Sequence, residues 1–272
     1  MKLSQAVKLF LNFKERELSA RTIREYGSDL NLFIKTVGDR PVHEIKTADV
    51  MLFRSSLSCS PSLINRRISA LNSFFNFLVD MEVIEKNPVK PSLRIRKVKQ
   101  RVPEALTKEE AERVLEVARE RGLRDYLMVK TILYCGLRIS ELLSLTPSNI
   151  TGHRGKPVLR VVGKGGKERF IPLPPSLARE LLSYSENFRS NERLFPLTYQ
   201  GAKYIFDRIK RKSGVNVHPH KLRHTFATFL VENGVDIRVI QAFLGHASPN
   251  TSARYAKVRD ELMFRIIEEV FE

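Results

Sequence analysis

Cysteine is nearly absent. The 272 residues hold only Cys59 and Cys135, which form no C-x-x-C and sit far apart, so no zinc or dithiol redox motif can be assembled from them. Cys135 falls in an apolar stretch and reads as a buried small hydrophobe. No apolar run reaches the roughly 20 residues a membrane-spanning helix needs. The opening MKLSQAVKLFLNF is amphipathic rather than a secretory signal, so the expectation is a soluble, cytoplasmic protein. There is no internal repeat and no low-complexity segment. The glycine-rich turn at 163–166 lacks a following GK[ST], which argues against a nucleotide P-loop. The Asp/Glu/His spacing of a two-metal nuclease is also missing. Acidic residues are outnumbered: 30 Asp plus Glu stand against 47 Lys plus Arg, a formal net charge of +17. That excess fits a polyanionic partner, because neutralising phosphates releases condensed counterions. A basic surface serving solubility or a membrane surface would use the same charges. Without a lipidation signal or a basic amphipathic anchor, nucleic acid is the favoured partner.

With 42% hydrophobic residues the chain can bury the cores of two domains. Residues 2 to about 87 read as helices. Ser19 caps SARTIREYGSDLNLFIKTVG, in which Ile23, Tyr26, Leu30, Phe33 and Ile34 recur at helical spacing and Gly38 ends the run. Thr47 starts a short helix through Phe53, and Ser60-Pro61 opens another whose polar face holds Asn65, Arg66 and Arg67. A four-helix domain over 1–89 with basic residues on exposed faces is expected. Three prolines and a dense Lys/Arg run in NPVKPSLRIRKVKQRVPEAL favour an extended linker at 90–104.

The second domain is expected over 105–272. Thr107-Lys108-Glu109-Glu110 is a capping box for a helix to about Glu120. Residues 123–135 are apolar nearly all round and should be buried; Gly136 stops them, and RISELLSL over 138–145 starts a new helix. PVLRVVG and KERFIPL alternate like strands around a glycine-rich turn, giving a β-hairpin at about 157–173. Helices follow at about 175–185, 199–213, 219–232, 236–244, 249–256 and 260–271. The fold class is mainly α with a small β-hairpin or sheet: an all-helical first domain and an α+β second one.

Four stretches carry chemistry. In HPHKLRH, Pro219 suits a first helical turn, and His220 and Arg223, three apart, share a face where free N–H groups favour an anion. In GLRISEL, Arg138 emerges just past Gly136 with Glu141 placed to steer it. In GKGGKERFIPL, Gly163, Gly165 and Gly166 let the turn approach another backbone, and Lys164 and Lys167 project from its tip. In LGHASPNTSARY, Gly245 suits the end of a helix, His246 follows in a loop and Tyr255 lies near the end of the next helix. Each stretch alone has an ordinary reading: a surface histidine cluster, a local Arg–Glu pair, a flexible hairpin with solubilising lysines, a core tyrosine beside a loop histidine.

Together they supply two arginines, two histidines, a lysine and a tyrosine. A phenol with a pKa near 10 is ionised in only about one molecule in a thousand at neutral pH, so a tyrosine nucleophile needs a base or nearby cations. Two guanidiniums can clamp the nonbridging oxygens of a phosphodiester as charge builds there. A lysine at a hairpin tip can deliver the proton the leaving sugar oxygen needs. The set fits metal-free phosphoryl transfer to tyrosine, with no cofactor.

GLRISEL, GKGGKERFIPL, HKLRHTFATFL and LGHASPNTSARY, in this order and spacing over residues 136–255, resemble the tyrosine site-specific recombinases of the phage integrase type, most closely the Xer branch. The first domain resembles that family's core-binding domain more loosely. The resemblance implies that Arg138 and Arg223 bind the scissile phosphate and that Tyr255 attacks it, leaving a 3′-phosphotyrosyl link and a free 5′-hydroxyl. It assigns Lys164 to protonate the 5′-oxygen, His220 to acid–base work at the tyrosine, His246 to a hydrogen bond on the phosphate and Glu141 to supporting Arg138. Asn149 stands where the family often has Asp. The implied partners are double-stranded DNA bearing a specific recombination site and further copies of the chain in a homotetramer.

In RDELMFRIIEEVFE, 259–272, Leu262, Ile266 and Val270 recur every fourth residue, with Phe264 and Phe271 nearby: an amphipathic helix that needs a groove. Folding back in cis is the default for a terminal helix. The resemblance favours docking on the next subunit of a ring, which makes this the oligomerisation helix. The leading function is joining two copies of a DNA site through a Holliday junction, as in resolving chromosome dimers. An integrase of a mobile element comes second, because the chain lacks an extra arm-binding domain at its start. A type IB topoisomerase-like nicking–closing enzyme and a DNA-binding protein that does not cut, its tyrosine structural, are the remaining readings.

Overall fold

The computed structural model describes residues 1–95, 104–153, 155–163, 166, 168–245 and 256–271, with the backbone alone at 242 and 256–263. The chain divides into two compact units, Met1–Arg101 and Val102–Glu272.

Two serines fix where helices of the first unit begin. It contains α1 (Leu3–Lys14), α2 (Ala20–Val37), α3 (Thr47–Ser56) and α4 (Pro61–Asp80). Ser19 Oγ accepts the Thr22 amide at 3.2 Å and Ser60 Oγ accepts the Leu63 amide at 3.4 Å, each satisfying a donor the helix start leaves without an intrahelical partner. Helical periodicity brings Phe10, Phe33, Phe53, Phe74 and Phe75 together in the core. Phe33 meets Phe53 edge-on with ring centroids 5.3 Å apart, and full burial of such a side chain is worth roughly 1.5–3 kcal/mol.

The polar face of α4 is less exposed than its sequence suggests. Asn65, Arg66 and Arg67 are each half-buried. Arg66 and Arg67 turn toward buried Asp29 of α2, at 3.0 Å and 3.4 Å. Asn65 donates to the Ile95 carbonyl and accepts the Ile95 amide, both at 2.8 Å. Asn87 reaches Asn72 at 3.1 Å and Asn76 at 2.6 Å, and Arg94 reaches Ser69 at 3.4 Å. Residues 87–95 thus lie along one face of α4, with Val89 and Leu93 in the core. The first part of the segment read as a linker at 90–104 is laid on this unit through a 3₁₀ turn at Pro91–Leu93; residues 96–103 lie outside the described residues.

The second unit is built round a buried helix. It contains α5 (Lys108–Glu120), α6 (Leu123–Cys135), α7 (Ile139–Leu142), β1 (Ile150–His153), β2 (Lys156–Val162), β3 (Glu168–Pro172), α8 (Pro175–Ser185), α9 (Tyr199–Ser213), α10 (Pro219–Glu232), α11 (Ile237–Phe243) and α12 (Ala256–Phe271). Thr107 and Glu110 exchange the capping-box bonds that start α5. Leu127, Met128, Val129, Ile132, Leu133 and Cys135 are all buried on α6. Its two buried charges are paired in place: Lys130 Nζ donates to Glu180 at 2.8 Å and Asp125 meets Arg124 and Arg121. RISELLSL forms only the single turn of α7. Pro147 disfavours helix at the residue before it, and Pro147–Asn149 forms a 3₁₀ turn instead.

The hairpin is part of a three-stranded antiparallel sheet in the order β1-β2-β3, with Leu159 opposite Ile171 and Val161 opposite Arg169. The first strand went unread because ITGH offers one apolar residue and no visible alternation. Asn149 fastens it: its Nδ2 donates to the Arg160 carbonyl at 3.1 Å and its Oδ1 accepts the Thr146 amide at 2.8 Å. A carboxylate at 149 could not make the first of these bonds.

α12 starts at Ala256, earlier than the expected 260; residues 249–255, where a separate helix was expected, lie outside the described residues. Within the chain the helix packs against α10. It buries Phe264, Ile267 and Phe271, while Ile266 and Val270 of the expected stripe are only half-buried. Phe271 stacks on Phe226 at 5.5 Å and meets Tyr134 at 4.9 Å. The aromatic side chains carry more apolar area than the aliphatic stripe and so take the inward face. Among the described residues no helix is long and apolar enough to cross a membrane.

Candidate active site

Gly136 and the start of α10 bring Arg138, His220 and Arg223 together. Gly136 ends α6 at φ 62, a left-handed conformation open to glycine at little cost. A Cβ there would also run into the Phe226 ring. The reversal buries Leu137 and delivers Arg138 to the surface, with its side chain 37% exposed. Opposite it, α10 begins at His218, whose Nδ1 accepts the Lys221 amide at 3.1 Å, with Pro219 in the first turn. Leu222, Phe226 and Leu230 anchor α10 in the core, and Arg223 is buried among them. Thr225 Oγ1 accepts the Leu106 amide at 2.9 Å, tying α10 to the chain just before α5.

Arg223 Nη1 donates to the Gly136 carbonyl at 2.6 Å and Nη2 to the Leu244 carbonyl at 2.5 Å, so one guanidinium holds the ends of α6 and α11. Burial, then repulsion from Arg138, lower its pKa to about 10, with Glu141 acting the other way. It therefore remains a cation at neutral pH, in a place where an anion gains most from it.

Glu141 is the buried anion of the group. Its Oε1 accepts Arg138 Nη1 at 2.9 Å and Arg169 Nη1 at 3.0 Å; its Oε2 accepts the Arg138 amide at 2.8 Å and Arg169 Nη2 at 2.8 Å. Arg223 Nη1 lies 3.8 Å from Oε2. Burial alone would raise the pKa of this carboxyl, but the bonds from Arg169 and Arg138 outweigh it and hold the value below 4.5. Three guanidiniums surrounding one carboxylate leave an excess of positive charge.

Arg138, His220 and Arg223 line one cleft of about 410 Å³ on the second unit. Tyr199 and Lys203 of α9 and His218 line it as well, and the sequence had given them no role. Burial, followed by the neighbouring His220 and Lys221, holds His218 below the usual histidine range. Lys203 and Tyr199 are four apart on α9, beside buried Ala202 and Phe206, a spacing that shows only once the helix has neighbours. Lys164, His246 and Tyr255 lie outside the described residues. Near them in sequence, the Gly166 amide donates to the Gly163 carbonyl at 3.2 Å, and Gly245 is left-handed at φ 66.

Arg169 went unassigned in the sequence. β3 places it on the same side as buried Ile171, while Phe170 faces outward and is 46% exposed. An arginine on the inward phase of a strand and a phenylalanine on the outward phase invert the ordinary alternation, and that inversion was the available signal.

Residues 104–261 match the Phage integrase family and residues 7–82 match its N-terminal SAM-like domain. The chain belongs to the phage integrase family. Among its relatives, this recombinase is 32% identical to the tyrosine recombinase XerC of Staphylococcus saprophyticus, over 97% of this chain and 95% of that protein. It is 37% identical to the tyrosine recombinase XerA of Thermococcus kodakarensis, over 89% of this chain and 86% of that one. A solved structure of the site-specific recombinase XerH bound to palindromic difH substrate, a post-cleavage complex, superposes with a TM-score of 0.69 at 25% identity, covering 97% of this chain and 83% of that one. A lambda integrase dimer bound to a COC′ core site gives a TM-score of 0.73 at 20% identity, covering 93% and 98%, a likeness of fold. Family membership makes the chain a tyrosine recombinase, an enzyme of DNA strand cleavage and rejoining.

Proposed function

We propose that this recombinase acts in the cytoplasm as a homotetramer on double-stranded DNA carrying a specific site, and that it resolves chromosome dimers through a Holliday junction. The observation that carries the reading is the convergence of Arg138, His220 and Arg223 on one cleft over a buried, fully hydrogen-bonded Glu141. Support for a DNA substrate comes from the XerH relative, whose structure is a post-cleavage complex with its difH substrate. The Xer-type relatives match along nearly the whole chain, which favours the chromosomal reading over a mobile element.

The phosphate enters between Arg138 and Arg223, whose guanidiniums hold its nonbridging oxygens. The Tyr255 oxygen attacks phosphorus and gives up its proton toward His220. The bond from phosphorus to the 5′-oxygen breaks, and Lys164 supplies the proton that oxygen takes. His246 hydrogen-bonds the phosphate, and Glu141 holds Arg138. The phosphotyrosyl link keeps the energy of the broken bond, so a 5′-hydroxyl from another strand reverses the steps and rejoins DNA.

The test is to trap the intermediate. Purified protein is incubated without magnesium with fragmented genomic DNA of its source organism carrying nicks, so that the short cleaved end diffuses away. Covalent protein–DNA adducts are expected, and sequencing the trapped DNA gives the site. Tyr255→Phe should abolish the adduct. An adduct that survives in Tyr255→Phe would place the nucleophile elsewhere, and wild-type protein that binds DNA without ever forming one would leave a non-cleaving DNA-binding protein.

A further inference from the structure

Arg169 is the one guanidinium of the cluster that stays out of the cleft. It is 12% exposed, and the cleft is lined by Arg138 and Arg223 without it. Its donors go to protein. Nη1 and Nη2 make a two-pronged bond to the two oxygens of Glu141, at 3.0 Å and 2.8 Å, and Nε donates to the Phe243 carbonyl at 2.7 Å. One rigid, planar group therefore joins β3, α7 and the end of α11. Gly245 lies against it: a Cβ at that left-handed position would come within 3.4 Å of Arg169 Nη1.

We propose that Arg169 is a positioning residue for strand cleavage, holding Glu141 and the Phe243–Leu244 backbone so that Arg138 and Arg223 meet the phosphate already in place. The proposal rests on the reading of the cleft as the site of strand cleavage. A carboxylate offers about four acceptor sites, and all four on Glu141 are filled, two of them by Arg169. Removing Arg169 empties two sites on a carboxylate that is 5% exposed. Glu141 would then take up a proton or swing away, and either change releases Arg138. Release of the Phe243 carbonyl loosens the same turn whose Leu244 carbonyl steadies Arg223.

Among the described residues the charged groups facing Glu141 are Arg138 from the start of its own helix, Arg169 from β3 and Arg223 from α10. α11 adds only backbone carbonyls, through Arg169 and Arg223. The buried Cys135 thiol, pushed up by burial, is the other titratable group beside Arg169. Without Arg169, the burial that works upward on Glu141 loses its main opponent, so protonation of Glu141 moves toward neutral pH.

The test measures single-turnover formation of the covalent adduct at saturating full-length protein, from pH 5.5 to 9, on a nicked duplex bearing the trapped site. Arg169→Met should be roughly 10 to 100-fold slower than wild type at pH 7, the cost of a small misplacement of catalytic groups. The deficit should shrink as pH rises, because Glu141 regains its charge. Arg169→Lys keeps the charge without the fork and should fall several-fold short of wild type, a loss that charge alone does not produce. Adding Arg169→Met to Glu141→Gln should cost far less than adding it to wild type. Rates that track wild type at every pH in both Arg169 variants overturn the proposal. A deficit of constant size across pH, with no coupling to Glu141→Gln, also overturns it and leaves Arg169 a role in folding only. If wild-type protein forms no adduct, the reading of the site has failed rather than this one.

Discussion

Asp29 in the first unit and Glu141 in the second are both buried carboxylates facing arginines, and the two clusters end differently. In the first unit Asp29, 3% exposed, faces Arg66 and Arg67. Its Oδ2 and the Nε of Arg67 have no hydrogen-bond partner among the described residues. Burial outweighs the two arginines there and raises the pKa of Asp29. In the second unit Glu141 is equally buried, yet a forked guanidinium and a backbone amide fill its oxygens, and its pKa falls. Opposite charges near a buried carboxylate are thus not enough. Geometry that fills every lone pair decides whether the charge is held or merely endured. The complete cluster stands beside the cleft, where fixed cations are needed; the incomplete one joins two helices.

The largest effect expected from this contrast is catalytic. Arg138→Ala and Arg223→Ala should each slow adduct formation by roughly 100 to 1000-fold, as for loss of a preorganised charge stabiliser. Arg66→Ala and Arg67→Ala, measured at saturating protein, should leave that rate unchanged. An equal loss from the Arg66 variant would erase the distinction between the clusters.

Next in size is stability around Glu141. Glu141→Gln leaves three buried or half-buried arginines facing a neutral amide and should cost about 3 kcal/mol near neutral pH, read from hydrogen exchange of α6 and α10 amides. The folded pKa of Glu141 lies below 4.5. Its stabilising contribution is therefore complete above that value and disappears as pH falls through the folded pKa. The gap between wild type and Glu141→Gln should close in acid.

Asp29→Asn should have the smallest effect and the opposite pH trend. The folded pKa of Asp29 lies above its ordinary 3.8, so folding disfavours the charged form, and wild type gains stability as pH falls through the folded value. At pH 7 the Asn variant should melt at or slightly above the wild-type temperature, a change within about 1 kcal/mol. A large loss at neutral pH would mean that Asp29 is as well satisfied as Glu141.

The features legible in the sequence were local ones. Ser19, Ser60 and Thr107 announced helix starts because a cap needs only the next three residues. Gly136 ended α6 because a left-handed residue needs no distant partner. His220 and Arg223 shared a cleft with Arg138 because a helix start and a glycine stop aim side chains predictably. What stayed hidden depended on partners far along the chain. Asn65 is half-buried because Ile95, 30 residues on, lies across it. Arg169 points inward because Glu141, 28 residues back, waits there. On α12 the expected Ile266 and Val270 pack at the edge of the core while Phe271 is buried, because the distant Phe226 and Tyr134 rings receive it.

Gly136 has a consequence for anyone recombining pieces of these enzymes. Its carbonyl is the acceptor for Arg223, and it sits at the tip of a helix sealed inside the domain. Each residue of a helix turns the chain by about 100°, so inserting or deleting one amino acid in α6 would swing that oxygen to another bearing. Chimeras should therefore inherit α6 and α10 from a single parent, with the splice placed outside both.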